Sequence, residues 1–448
     1  MILRRAYSTA SSSLRIAIVG SGPAGLYTCA GLVSRIPQGK IDVFDRSAVP
    51  YGLIQYGVAP DHYDVKRCIN QFEKLFVDNV DRVKLYCNVK IGEDLTYDEL
   101  CNDYDAVVLA YGANKPRKLN IPGDDAVNCM SGGDFVAWYN GGYSPIIPLL
   151  DNSNAVVVGN GNVSIDCSRI LLSSIEKLSK LDIPENALKV LKQSQVSNIN
   201  IFGRRGPKDA SFTIKELREL LNMEGCTVST AIADDEALAI SEIVDKMDRP
   251  KKRILQLMLE RRLPKNPDAP KKCTVEFFQK PVSIEKNSSG RIEAVNFENS
   301  LTGKSQRVPC GLLIYAIGYQ NVLLPGVPTT PDNKLLLSDW CRIPSDNCKV
   351  YATGWCAHNP NGVIAQTQSQ AVAVADEIAK DFAQYSKKDN KNGSELRLQS
   401  RKVPFLSFND WKYVDECEKM MGRILGKLRE KIQNVPEFIK LGRRSIVP

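Results

Sequence analysis

Histidine is nearly missing from this 448-residue chain: only His62 and His358 occur, too few for a multi-histidine metal site. Cysteine is present thirteen times, but no two are spaced as C-x-x-C. That excludes a zinc ribbon, a cysteine-ligated iron–sulfur cluster and a thioredoxin-like redox motif. The odd count and irregular spacing fit reduced, buried thiols. A long apolar run is lacking too. The longest, around Cys310 to Ile317, falls far short of the ~18 residues that a membrane helix needs. No metal is expected, and the chemistry should come from an organic cofactor.

Acid is absent from the start of the chain, where the first carboxylate is Asp42. Residues 1–13, MILRRAYSTASSS, set Arg4 and Arg5 among hydroxyl side chains. This is the composition of a mitochondrial presequence. A matrix location follows as an expectation, with room for peripheral association at the matrix face of the inner membrane.

What is present is an ordinary globular mixture, 43% hydrophobic and 25% charged, long enough for two or three domains. The formal charge of +8 is local. Between Arg249 and Lys272 nine basic residues stand against two acidic ones, a net +7. Such concentration marks a docking patch for an acidic partner, not a nucleic-acid surface. Arg249, Lys251, Lys252, Arg253, Arg261 and Arg262 are its members, on a predicted surface helix that Ile254, Leu257 and Met258 hold down.

Two βαβ openings organise the chain. Leu14 to Val19 reads as a buried parallel strand; Gly20-Ser21-Gly22-Pro23-Ala24-Gly25 follows, then a helix through Arg35 and a strand ending at Asp45. In G-x-G-x-x-G, Gly20 makes the tight turn, Gly22 admits a pyrophosphate and Gly25 lets helix and strand pack closely. Asp45 is placed to accept hydrogen bonds from a ribose. The second opening runs from Ala155 through Gly159-Asn160-Gly161-Asn162-Val163-Ser164 to a strand at Ile199–Phe202. Here Gly203-Arg204-Arg205 replaces the acid. Guanidinium groups at that position grip a 2′-phosphate, so this half reads as an NADP site. Opposite ribose chemistries imply two nucleotides, FAD first and NADPH second. Nicotinamide yields a hydride, whereas flavin can release electrons one at a time. The fold class is therefore α/β with two Rossmann-like dinucleotide-binding domains. Ser386 to Lys402, polar throughout, reads as an exposed connection.

These motifs, with Pro50-Tyr51-Gly52-Leu53, Tyr56-Gly57-Val58-Ala59-Pro60-Asp61-His62, Tyr111-Gly112-Ala113, Gly203 to Pro207, Phe212 to Glu219, Gly354-Trp355, Gly362-Val363-Ile364 and Ser407 to Trp411, resemble the mitochondrial adrenodoxin (ferredoxin)–NADP reductases, fungal members most of all. The likeness spans about residues 14 to 430. It implies a glutathione-reductase-like architecture: an FAD domain built from 14–113 and 320–448, with an NADP domain, 114–319, inserted. It implies FAD contacts at Ala24, Asp45, Leu53, Val89, Trp355, Gly362, Val363 and Ile364 beside the glycines. NADP contacts would be Asn160, Gly161, Asn162, Val163, Arg204, Arg205, Glu216 and Gly362. His62 and Asp166 would lie near the flavin–nicotinamide junction, as candidates for tuning or relaying protons. The partner would be an acidic adrenodoxin-like [2Fe–2S] ferredoxin, and a monomer is expected because a transient partner needs an accessible face.

Two rival readings keep the same nucleotide motifs. A flavin monooxygenase must stabilise a flavin–oxygen adduct, and no sequence element calls for that. A non-enzymatic nucleotide-sensing scaffold would bind its cofactors without turnover.

Overall fold

The computed structural model describes residues 14–113, 115–142, 146–358, 364–383 and 391–443. The expected presequence and the expected contacts Gly362 and Val363 lie outside them.

Two six-stranded sheets carry the molecule. The first has the spatial order Arg342–Ile343, Lys349–Ala352, Ala106–Leu109, Arg15–Val19, Lys40–Asp45, Val83–Cys87, parallel except where Arg342–Ile343 pairs antiparallel with its neighbour. The second has the order Cys129–Ser131, Leu312–Tyr315, Asn154–Val158, Asn198–Phe202, Lys271–Glu276, Cys226–Ala231, parallel throughout. The apolar strand runs are explained by burial on both faces. Ile16 and Ile18 point to one core while Ala17 and Val19 point to another. In the second sheet, Ala155 and Val157 pack against helices. Val156 and Val158 pack against a three-stranded antiparallel sheet, Gln279–Lys286, Ile292–Asn299 and Ser305–Pro309, through Ile284, Val295 and Phe297. Each such fully buried aliphatic side chain contributes about 1.5–3 kcal/mol, and a one-residue slip in any strand would exchange the two cores.

The first sheet thus takes strands from both ends of the chain, and the second only from between them. Where the chain crosses, Lys115–Pro116 and Tyr319–Gln320 form a two-stranded antiparallel ribbon. The helix Ile364–Ala383 returns to the first sheet, burying Ala371, Val374, Ala375, Ile378 and Phe382 against Pro23–Arg35. Gly31 makes this contact close: a Cβ there would lie 2.7 Å from that of Ala375.

The expectation of an exposed connection at Ser386 to Lys402 needs correction. Its described part contains the helix Glu395–Ser400. Leu398 there is fully buried, and Arg397 makes a two-pronged ion pair with Asp103 at 2.9 and 3.1 Å. Polar composition concealed one apolar anchor and a bidentate arginine.

Candidate dinucleotide sites and the junction between them

The two glycine turns are built by the same device. At the first, the Gly20 amide donates to the Phe44 carbonyl at 2.7 Å and Ala110 N–H to the Val19 carbonyl at 2.8 Å. At the second, Gly159 donates to Phe202 at 2.8 Å and Ala316 to Val158 at 2.7 Å. Gly20 and Gly159 adopt φ of +112° and +124°, and a Cβ would fall 2.4 and 2.3 Å from the carbonyl oxygens of Ala110 and Ala316. Only glycine fits there. A Cβ on Gly25 would stand 1.9 Å from the Gly20 oxygen, whereas Gly22 has open space. Gly22 and Gly161 are the N-caps of Pro23–Arg35 and Asn162–Leu172, so each turn offers free amides at a helix N-terminus to a phosphate. Ser164 takes the third-glycine place of the second turn and is fully buried.

The surroundings of the turns differ. Asp45 Oδ2 accepts hydrogen bonds from the Ser21 amide (2.8 Å) and hydroxyl (2.6 Å), and Oδ1 from the Ser47 amide (2.8 Å). Sequence reasoning saw a ribose acceptor and missed this brace; a carboxylate has capacity for both. Ala24 and Val89 are buried, Trp355 is half-buried, and Leu53 is 45% exposed. Ile364 opens its helix half-buried. A Cβ on Gly354 would lie 2.6 Å from that of Ala24, which brings the late segment against the first turn.

At the second turn, Arg204 and Arg205 are exposed and enter no ion pair among the described residues. Asn160 Oδ1 and Glu216 Oε2 are buried without a hydrogen-bond partner among them. Exposed guanidinium groups, unpartnered buried acceptors and a free helix N-terminus fit an NADP molecule. The open Gly22 and the Asp45 strand end fit FAD at the first turn. Asn162 Oδ1 is occupied by the Thr213 amide at 2.8 Å, and Val163 is half-buried beside it.

His62 and Asp166 meet only through a third residue. Arg169, 3% exposed, reaches Asp166 Oδ1 at 2.8 Å, His62 Nε2 at 2.9 Å and Asp61 at 2.5 and 3.2 Å. His62 Nε2 also lies 2.5 Å from Glu219 Oε2. Burial raises Asp61, but the Arg169 hydrogen bond and charge outweigh it and hold the carboxyl below its usual value. At Asp166 burial wins, and the carboxyl is raised despite Arg169. Arg169, Asp61 and Glu219 were missed as members of this junction. Asp61 and Glu219 stood in the quoted motifs, but nothing in their spacing showed that they converge.

A second charged cluster lies nearby. Asp182 meets Lys66 Nζ at 2.9 Å and Lys431 Nζ at 3.1 Å, and Lys431 also donates to the Asn140 carbonyl at 2.8 Å.

The basic patch forms the helix Arg249–Glu260, capped by Asp248. Arg249 and Arg253 are exposed and Lys251 half-buried; Lys252 pairs with Asp245 at 2.7 Å. Arg261 is a correction to the docking set. It is 7% exposed, and its guanidinium donates to the Leu221 carbonyl and, at 2.8 Å, to Asn222 Oδ1. It sits past the helix end, where it satisfies inward-facing acceptors. Arg262 is turned to the Ile232 carbonyl and Asp234.

Two glycine turns at helix N-termini on two Rossmann-like sheets, joined by buried ion clusters, define an oxidoreductase that handles two dinucleotides. The chain belongs to the pyridine nucleotide-disulphide oxidoreductase family, whose model matches residues 14–376. It is 35% identical over 465 residues to the mitochondrial NADPH:adrenodoxin oxidoreductase of Salvelinus fontinalis, covering 97% of this chain and 92% of that protein. It is 34% identical over 472 residues to a probable mitochondrial NADPH:adrenodoxin oxidoreductase of Schizosaccharomyces pombe, covering 98% of each. Among solved structures, Mycobacterium tuberculosis FprA in complex with NADPH superposes with a TM-score of 0.88 at 30% identity, covering 96% of this chain and 100% of that one.

Proposed function

We propose that this protein is an NADPH-dependent FAD flavoenzyme that takes a hydride from NADPH and passes electrons singly to an adrenodoxin-type [2Fe–2S] ferredoxin. The observation that carries this is the duplicated turn with opposite ribose ends, Asp45 at one and exposed Arg204 and Arg205 at the other. Bound flavin would supply the conversion of a two-electron donor into single electrons. The chain's own residues bind and align. Gly20, Gly22, Ala24 and Gly25 would hold the FAD pyrophosphate, and Asp45 its ribose. Asn160 to Val163 would hold NADPH, with Glu216 and the two arginines reading its ends. Hydride transfer needs no side-chain acid or base, only alignment of donor and acceptor, so His62 and Asp166 are assigned to the junction's geometry. The division of strands between the two sheets supports domains of 14–113 with 320–448 for FAD and 114–319 for NADP.

The relatives' names place those proteins in mitochondria, which supports a matrix address with residues 1–13 as presequence. Among the described residues no helix is long and apolar enough to cross a membrane. Arg249, Lys251, Lys252 and Arg253 form the face proposed for the acidic ferredoxin. An absorbance spectrum of the purified protein should show flavin, and anaerobic NADPH should bleach it. The reduced enzyme should then turn over rapidly with ferredoxin and slowly with oxygen alone. Absence of flavin, or rapid oxidation by oxygen without ferredoxin, would overturn the reading.

A further inference from the structure

We propose that Arg169 is a positioning residue for hydride transfer, joining the two nucleotide turns along a path of backbone and hydrogen bonds; the proposal rests on the function inferred above. The chain begins at the first turn. The Tyr51 amide donates to the Ser21 carbonyl at 3.1 Å, and a Cβ on Gly52 would come within 3.2 Å of Gly22 Cα. The segment from Gly52 to His62 is then gripped from the other domain. Asn140, fully buried, donates to the Tyr56 and Val58 carbonyls at 3.1 and 3.3 Å. Asp61 and His62 end the segment; Arg169 holds Asp61 with two donors and lies beside the His62 ring.

On the other side, Arg169 belongs to the helix Asn162–Leu172, whose N-terminus is the second turn. Seven residues separate Asn162 from Arg169, about 10.5 Å of rigid helix at 1.5 Å per residue. Asp166, one turn earlier on that helix, fixes the guanidinium against its own element. Only a planar fork can address Asp61 twice while also reaching Asp166; a lysine carries the charge but not that geometry. Arg169 thereby sets the distance and angle between the two turns that would hold the nucleotides. Misplacement by about 1 Å can cost a reaction ~10²-fold.

The test compares Arg169→Lys with the parent, both loaded with FAD. Flavin reduction at saturating NADPH is followed by stopped flow, NADP⁺ affinity by calorimetry, and amide hydrogen exchange over residues 52–62 by mass spectrometry. The expected result is reduction slowed about 10–100-fold, NADP⁺ affinity within about twofold, and faster exchange over that segment. The deuterium isotope effect with 4-deuterated NADPH should not fall. An arginine that only supports folding would lower stability and leave the reduction rate of folded enzyme unchanged. That outcome, or a slowing accounted for by lost NADP⁺ affinity, overturns the proposal. Asp61→Asn removes the charge from the opposite partner and serves if Arg169→Lys does not fold; it should give the same split, and its failure to do so is equally decisive. If the parent enzyme itself is not reduced by NADPH, the functional reading falls first and the proposal with it.

Discussion

Asp182 pairs with two buried ammonium groups that belong to different parts of the chain, so neutralising it should be costly. Its side chain is 10% exposed, against 8% for Lys66 and 0% for Lys431, with Nζ–O distances of 2.9 and 3.1 Å. Asp182→Asn keeps the shape but turns an amide against one ammonium and leaves two buried positive charges without an anion between them. Removing one partner of a buried pair costs about 3–5 kcal/mol. The pH dependence has a definite sign. Burial raises Asp182, but Lys431 and Lys66 outweigh it and hold the carboxyl below its ordinary value. A carboxyl depressed in the folded state contributes stability above its unfolded value of about 3.9 and loses it as the pH falls through the folded one. Lys431 is lowered, chiefly by burial; its folded form binds a proton less tightly than the unfolded chain, so stability rises with pH between those two values. Urea denaturation at pH 7 should show the loss in Asp182→Asn, and the acid-side slope between the folded and unfolded values should be shallower than in the parent. Asp182→Asn with Lys431→Met replaces a stranded ammonium by an apolar chain of similar length and should recover at least half the loss. A single variant within about 1 kcal/mol of the parent, outside the cost expected for a broken buried pair, would refute the reasoning.

Replacing Arg204 and Arg205 by Ala should raise KM for NADPH steeply and leave NADH nearly unchanged, a change in preference on the order of 10²–10⁴; equal loss with both coenzymes would contradict the assignment. Gly25→Ala drives a methyl to 1.9 Å from the Gly20 carbonyl oxygen, so the purified variant should carry little flavin while keeping NADP⁺ binding by calorimetry. Arg249, Lys252 and Arg253 changed to Glu should slow ferredoxin reduction and flatten its salt dependence, with ferricyanide reduction preserved. Arg261→Ala should lower thermal stability instead, because its buried acceptors lose their donor.

Both nucleotide turns were legible because their chemistry is local. Strand, glycine spacing and helix lie within a dozen residues, and only glycine answers the steric demand at Gly20 and Gly25. Asp45 and the pair Arg204 and Arg205 were equally local, each at the end of the strand after its turn. The junction was not. His62 and Asp166 could be named, but Arg169 looked like any helical arginine until the fold brought Asp61 to it across 108 positions. Arg261 shows the opposite failure. A charge count cannot distinguish an arginine that faces water from one whose long side chain turns inward to carbonyls, since both raise the net charge equally. Arg397 was hidden for a similar reason, its partner Asp103 lying almost 300 residues away.

The divided first sheet has a consequence for the order of assembly. Strand Lys349–Ala352 registers against Ala106–Leu109, yet about 240 residues, the inserted domain among them, are translated between the two. At 5–20 residues per second that is on the order of 10–50 s. The inserted domain owns all its strands once Tyr315 has left the ribosome and can close by itself. Meanwhile the earlier domain waits with Ala106–Leu109 as a bare edge, open to mispairing. Closure of the first sheet therefore waits on Lys349–Ala352, which covers that edge only after the inserted domain has been read.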